Sequence, residues 1–202
     1  RKPITLAEDV STPEWEAFFQ NCSLEGESLT VMARRLLDAS IDSGIAGILI
    51  DFPKTEGVIN LAQERALGLR PYFCLIPFTD ILGWQLEVET QTFGEFSLYG
   101  NRLTQLRIRD VVTETDPEDE FRQITRPAVR VFEQPVANTQ VRHRLFVLRP
   151  SEAGQQERWV QTQDTDLSIT TIPFCANYSS APDGFMRARP LLLDIARLNL
   201  AH

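Results

Sequence analysis

Up to about residue 80 the apolar positions fall mostly at helical spacing, and from there to about residue 176 they tend to alternate with polar ones. Thr12-Pro13-Glu14-Trp15-Glu16 reads as a helix start. It offers a hydroxyl to cap the chain, a proline where no donor is needed, and early acids facing the positive helix end. This helix carries Trp15, Phe18 and Phe19 on one side and is expected to end near Asn21. Ser28 opens a longer helix to about Ser43, with Leu29, Met32, Ala33, Leu36, Leu37 and Ile41 on its apolar stripe and Gly44 as its stop. The run Ile45-Ala46-Gly47-Ile48-Leu49-Ile50, closed by Asp51-Phe52-Pro53, reads as a buried strand. A short helix is expected over 61–67, ended by Gly68, and a second buried strand over 72–76, broken by Pro77.

In the alternating region, 84–89 and 103–112 read as partnered strands with 91–101 between them. The acidic run 114–120, around Pro117, reads as a loop. Segments 128–133, 141–148 and 157–162 are expected to form a meander, joined through Pro135, Asn138 and Gly154. A further strand is expected over 167–175, kept from the sheet centre by Pro173. After a loop, Pro190 opens a final helix. Leu191, Ile195 and Leu198 form one face of it, and Leu192, Ala196 and Leu200 a second. A domain of this size can cover one such face with its own sheet, so these six residues are candidate subunit contacts. The expected fold class is therefore α+β, a mainly antiparallel sheet with N-terminal helices and a C-terminal helix. Residues 1–80 are helix-rich with two buried strands, 81–176 are β-rich, and 177–202 hold a loop and the start of a long helix. The first residue is Arg1 rather than methionine and the last ones continue an apolar run, so the 202 residues read as a single fragment of a longer chain.

Charge and chemistry narrow the function. The net charge of −8 argues against a dedicated DNA-binding module, which needs clustered cations. The charge is unevenly spread: residues 121–160 hold seven arginines against three acids, while 1–120 are acidic. Such arginines can pair with carboxylates within the subunit or between neighbours. Failing that, Arg122, Arg126, Arg130, Arg142, Arg144 and Arg149, with Phe146 to stack on, are the residues a nucleic-acid module would use. Three scattered cysteines, Cys22, Cys74 and Cys175, make neither a disulfide framework nor a metal motif, and their apolar neighbours suggest buried, reduced thiols. A cysteine-dependent hydrolase would need Cys74 or Cys175 to meet His143, which lies between Arg142 and Arg144. Asp51 ends a strand where a catalytic carboxylate can sit, but no partner motif follows, and capping a turn is the simpler role. Phosphate-loop, nucleophile-elbow and zinc motifs are absent from the sequence, as is the alternation of a calcium loop within 114–120. No catalytic, cofactor or metal site is expected. No run of eighteen or more apolar residues suggests a membrane span.

Three segments carry a family likeness. The first is Ser43-Gly44-Ile45-Ala46-Gly47-Ile48-Leu49-Ile50-Asp51-Phe52-Pro53. The second is Ala66-Leu67-Gly68-Leu69-Arg70-Pro71-Tyr72-Phe73, leading to Asp80-Ile81-Leu82-Gly83-Trp84. The third runs from Pro190-Leu191-Leu192-Leu193-Asp194 to Leu200-Ala201-His202. In this order they resemble a family of uncharacterised phage and prophage proteins related to head–tail connector portals. The resemblance covers about residues 40–202, with 91–175 matching only in style. It stops before the tyrosine that usually follows the Ala-His pair in that family. It implies a portal wing-like region, with the stem, clip and crown lying beyond this chain, and no catalytic residues. It also implies a structural role in a ring through which DNA passes. The partners would be further copies of the chain, and capsid, neck and terminase proteins through the full-length protein; no sequence-specific nucleic acid would be bound. The location would be the virion, and the host cytoplasm during assembly. The alternatives are another structural protein of a phage virion, or the hydrolase using Cys74 or Cys175 with His143.

Overall fold

A computed structural model describes residues 12–23, 25–53, 69–93, 96–116, 119–150 and 156–201, with 89–93, 96–99 and 201 described in the backbone only. The expected helix over 61–67 lies outside the described residues. In chain order the elements are α1 (Pro13–Gln20), α2 (Leu29–Ser43), β1 (Ile45–Asp51), β2 (Tyr72–Pro77) and a 3-10 turn (Phe78–Asp80). There follow β3 (Ile81–Phe93), β4 (Phe96–Asp116), β5 (Asp119–Glu133), β6 (Arg142–Pro150), β7 (Glu157–Asp166), β8 (Phe174–Tyr178) and α3 (Leu193–Ala201). The fold is α+β with antiparallel sheets, as the change of hydrophobic period predicts. The chain divides into two compact units, Arg1–Phe78 with Pro173–His202, and Thr79–Ile172.

In the first unit, Thr12 caps α1 by accepting from the Trp15 amide at 3.4 Å, and Pro13 occupies the first turn. Phe18 packs edge-on against Trp15 and Phe73, with ring centroids 5.9 and 4.9 Å away, and the Arg70 guanidinium lies over its face. α2 ends at Gly44, whose φ of 87° places it in the left-handed region and lets its amide reach the Ser40 carbonyl at 2.7 Å. β1 is the middle strand of a three-stranded sheet, order β2-β1-β8. The absence of a side chain at Gly47 lets the Phe174 ring lie directly against β1. α2 packs on this sheet, and the Ser40 hydroxyl accepts from Asn177 Nδ2 at 2.9 Å across 137 residues of sequence.

Two expectations need correcting here. The expected strand over 167–175 starts only at Phe174 and pairs with β1, because Pro173 offers a carbonyl to the Ile50 amide but has no N–H to extend the ladder. The last helix starts at Leu193 rather than at Pro190, after a turn in which the Leu193 amide donates to the Pro190 carbonyl.

The second unit is a five-stranded meander, β3-β4-β5-β6-β7, with every neighbouring pair antiparallel. Its strands outrun the sequence reading. β3 continues to Phe93 and β4 begins at Phe96, so most of 91–101 is ladder rather than connection. β4 runs to Asp116 and β5 begins at Asp119, so the acidic run is mostly strand. Cross-strand arginines make that tolerable: Glu114 faces Arg126 and Arg149, and Asp116 faces Arg122. One face of the sheet buries Leu106, Ile108, Ala128, Phe132, Leu145 and Val147, each fully buried apolar side chain contributing about 1.5–3 kcal/mol. Gln134, 1% exposed, ties the loops to this core. Its Nε2 donates to the carbonyls of Thr139 at 2.8 Å and Thr170 at 2.5 Å, and its Oε1 accepts from Arg102 at 3.2 Å.

Candidate functional site

A cysteine nucleophile would need a base within hydrogen-bond reach. Cys74 and Cys175 belong to the first unit and His143 to the second. Cys74 pairs with Leu49 in the β1–β2 register and Cys175 with Ile48 in the β1–β8 register. Neighbouring residues of β1 point to opposite faces, so the two thiols do too. Cys22 is buried, with its thiol pKa raised, first by desolvation and then by the Glu27 charge. Burial was expected of all three, but Cys74 is only half-buried and Cys175, on an edge strand, is exposed. His143 is buried and stacks on Phe132 with ring centroids 4.7 Å apart. Its chain neighbours Arg142 and Arg144 project from the opposite face, toward Asp164 and Glu133. Asp51 accepts from the Phe52 amide at 2.9 Å, the turn-capping role expected of it.

The six arginines that a nucleic-acid module would use each face a carboxylate of this chain. Arg122 lies 3.6 Å from Asp116, Arg126 3.6 Å from Glu114, and Arg130 2.9 Å from Asp110. Arg144 pairs with Glu133, and Arg149 with Glu114. Arg142 grips Asp164 with two parallel bonds, Nε to Oδ1 at 2.7 Å and Nη2 to Oδ2 at 2.5 Å. That hydrogen bonding holds the Asp164 carboxyl below its ordinary range and pushes the Arg142 pKa up. A guanidinium already bound to a carboxylate releases few counterions on meeting a phosphate, so this set makes a weak DNA surface. Phe146, the expected stacking platform, is covered by Arg144 at 5.5 Å.

The apolar residues nominated as subunit contacts are open to solvent. Leu191, Leu192, Ile195, Leu198 and Leu200 are 50–88% exposed, and Ala196 is exposed as well. Leu191 and Leu192 precede the first turn of α3, and the other four lie on it. Asp194, between the two faces, is flanked by Arg189 and Arg197. A run of large apolar side chains this exposed marks an interaction surface more often than a solvated one.

A second surface was missed in the sequence. On the sheet of the second unit the outer face changes character along the strands. Around Leu106, Phe132 and Leu145 the inner face is apolar, and the outer face carries Gln105, Glu133, Arg142, Arg144 and Asp164. From the row of Leu145 onward, the inner face sets the Asp110–Arg130 and Glu114–Arg126–Arg149 pairs beside the buried Ala128 and Val147. The outer face there presents Val111 opposite Pro127 and Leu148 opposite Trp159. Pro127 and Leu148 come one step on from the partners Ala128 and Val147, so the four residues form one row across four strands. Val129 and Phe146, themselves partners, lie beside it. Val111 is 63% and Trp159 51% exposed. The available sequence signal was the Val111-Val112 doublet, which breaks alternation and puts an apolar side chain on each face.

No helix among the described residues is long and apolar enough to cross a membrane, and none of them gather into a group of three or more histidine, cysteine or acidic metal ligands. Compared with known proteins, the chain matches no protein-family model and no curated protein sequence.

Proposed function

We propose that this chain is the wing-like part of a phage portal subunit, a structural component of the ring through which DNA enters and leaves the capsid, and not an enzyme. The observation that carries the reading is the exposed apolar run from Leu191 to Leu200, which has the chemistry of a surface built to be covered by another part of an assembly. The likeness of the three motif segments to portal-related phage proteins gives that assembly its identity. The internally neutralised arginines fit a protein that meets DNA as a conduit and does not read its sequence. Its location would then be the virion, and the host cytoplasm during assembly, with further copies and the capsid, neck and terminase proteins as partners. Disrupting the gene in a phage that carries it tests the reading. A portal subunit predicts capsids that assemble empty, and mass spectrometry of wild-type virions that finds the protein in them. DNA-filled heads lacking the protein would refute it.

A further inference from the structure

The row Val111–Pro127–Leu148–Trp159 is apolar on the outer face of the sheet, where Val111 and Trp159 are open to solvent, and its border is charged in a particular way. On β4, Arg107 and Arg109 project from the same outer face as Val111 and are exposed. Arg109 lies 4.0 Å from Asp80, and the chain as a whole carries a net charge of −8. A partner for this surface needs an apolar group flanked by acids. The chain holds one. At the tip of the β4–β5 hairpin, Phe121 is 89% exposed, and Asp119 and Glu120 beside it are exposed too. Asp119 Oδ1 accepts from the Phe121 amide at 3.0 Å, which fixes the ring's backbone and keeps an acid next to it.

We propose that the tip of one copy, Phe121 with Asp119 and Glu120, seats on the Val111–Trp159 row of a second copy, its acids against Arg107 and Arg109. The tip cannot serve its own row: Phe121 and Pro127 are six residue steps apart along an extended strand, about 20 Å at roughly 3.3 Å each. Tip and row are different surfaces, so the contact is heterologous. Each copy offers one of each, and repetition closes into a ring or continues as a filament. The inference rests on the portal reading only in taking the partner to be another copy of the chain.

Sedimentation velocity of the 202-residue protein and two variants tests it. The wild-type chain should gain mass with concentration. Phe121→Ser, which removes the tip, and Trp159→Ser, which removes the row, should each remain monomeric. Mixed in equal amounts, the two variants keep one intact contact that cannot propagate, so the mixture should form dimers and nothing larger. Row-on-row pairing predicts instead that Phe121→Ser associates by itself and that adding Trp159→Ser brings in no further dimer, and this would overturn the proposal. So would a chain in which neither variant changes an association driven by α3, or a wild-type protein still monomeric near about 1 mM. Unfolding curves that match wild type would establish that the variants fold. Where Trp159→Ser does not, the exposed charge exchange replaces it: Arg109→Glu or Glu120→Arg alone should weaken association by about tenfold, and the two together should restore it.

Discussion

Replacing Gln134 tests whether one buried amide holds the loops of the second unit to its sheet. The side chain is 1% exposed and makes three hydrogen bonds, to the carbonyls of Thr139 and Thr170 and from the Arg102 guanidinium. Arg102 retains other acceptors in Glu87 and the carbonyls of Gln134 and Pro135, so it is left satisfied when the amide goes. The two loop carbonyls lose the amide's donors. At about 1 kcal/mol net per hydrogen bond and about 1–3 for a buried polar group left unsatisfied, Gln134→Leu should cost roughly 2–4 kcal/mol with little change in volume. Gln134→Glu should cost at least as much, because it sets a carboxylate against two carbonyl oxygens. The assay is urea unfolding followed by tryptophan fluorescence in a Trp15→Phe background. There the remaining Trp84 and Trp159 both report on the second unit. A Gln134→Leu protein within about 0.5 kcal/mol of its parent would refute the reasoning, since that is the scatter expected of neutral substitutions.

Two further outcomes follow from the first unit. Gly44→Ala should destabilise it by at least about 1 kcal/mol, because alanine is disfavoured at a φ of 87° and its Cβ would lie 2.8 Å from the Ala188 carbonyl oxygen; a shift of the urea midpoint measures it. Iodoacetamide should label exposed Cys175 at the rate of a simple thiol and buried Cys22 far more slowly, its pKa being raised by burial. Native-state labelling of any cysteine well above the simple-thiol rate would show an activated nucleophile and count against a purely structural role.

What the sequence reveals of this fold is what local chemistry decides. The stop of α2 is legible because Gly44 is the residue that tolerates a left-handed C-cap. The strands β1 and β2 are legible because unbroken apolar runs bounded by glycine and proline have few other uses. Strand β8 was misplaced because its partner is set by a pairing far away in sequence, held by Asn177 against Ser40 across 137 residues. The reach of β4 and β5 was missed for a related reason. A run as acidic as 114–120 looks unfit for a ladder until register brings Arg122, Arg126 and Arg149 to its carboxylates. The same register decides the fate of the arginine-rich segment. Composition leaves open whether those guanidiniums face phosphate or carboxylate, and only the cross-strand partners answer it. The exposed residues of α3 were legible from their spacing, whereas the Val111–Trp159 row required knowing which residues stand opposite one another.

The central claim is that this chain belongs to a closed ring. Negative-stain imaging of the full gene product, with its mass in solution taken by light scattering, tests it most directly. The portal reading predicts ring-shaped particles with a central channel and a mass equal to a fixed, whole number of subunits. A protein that stays monomeric at high micromolar concentration, with no rings in the images, would contradict it.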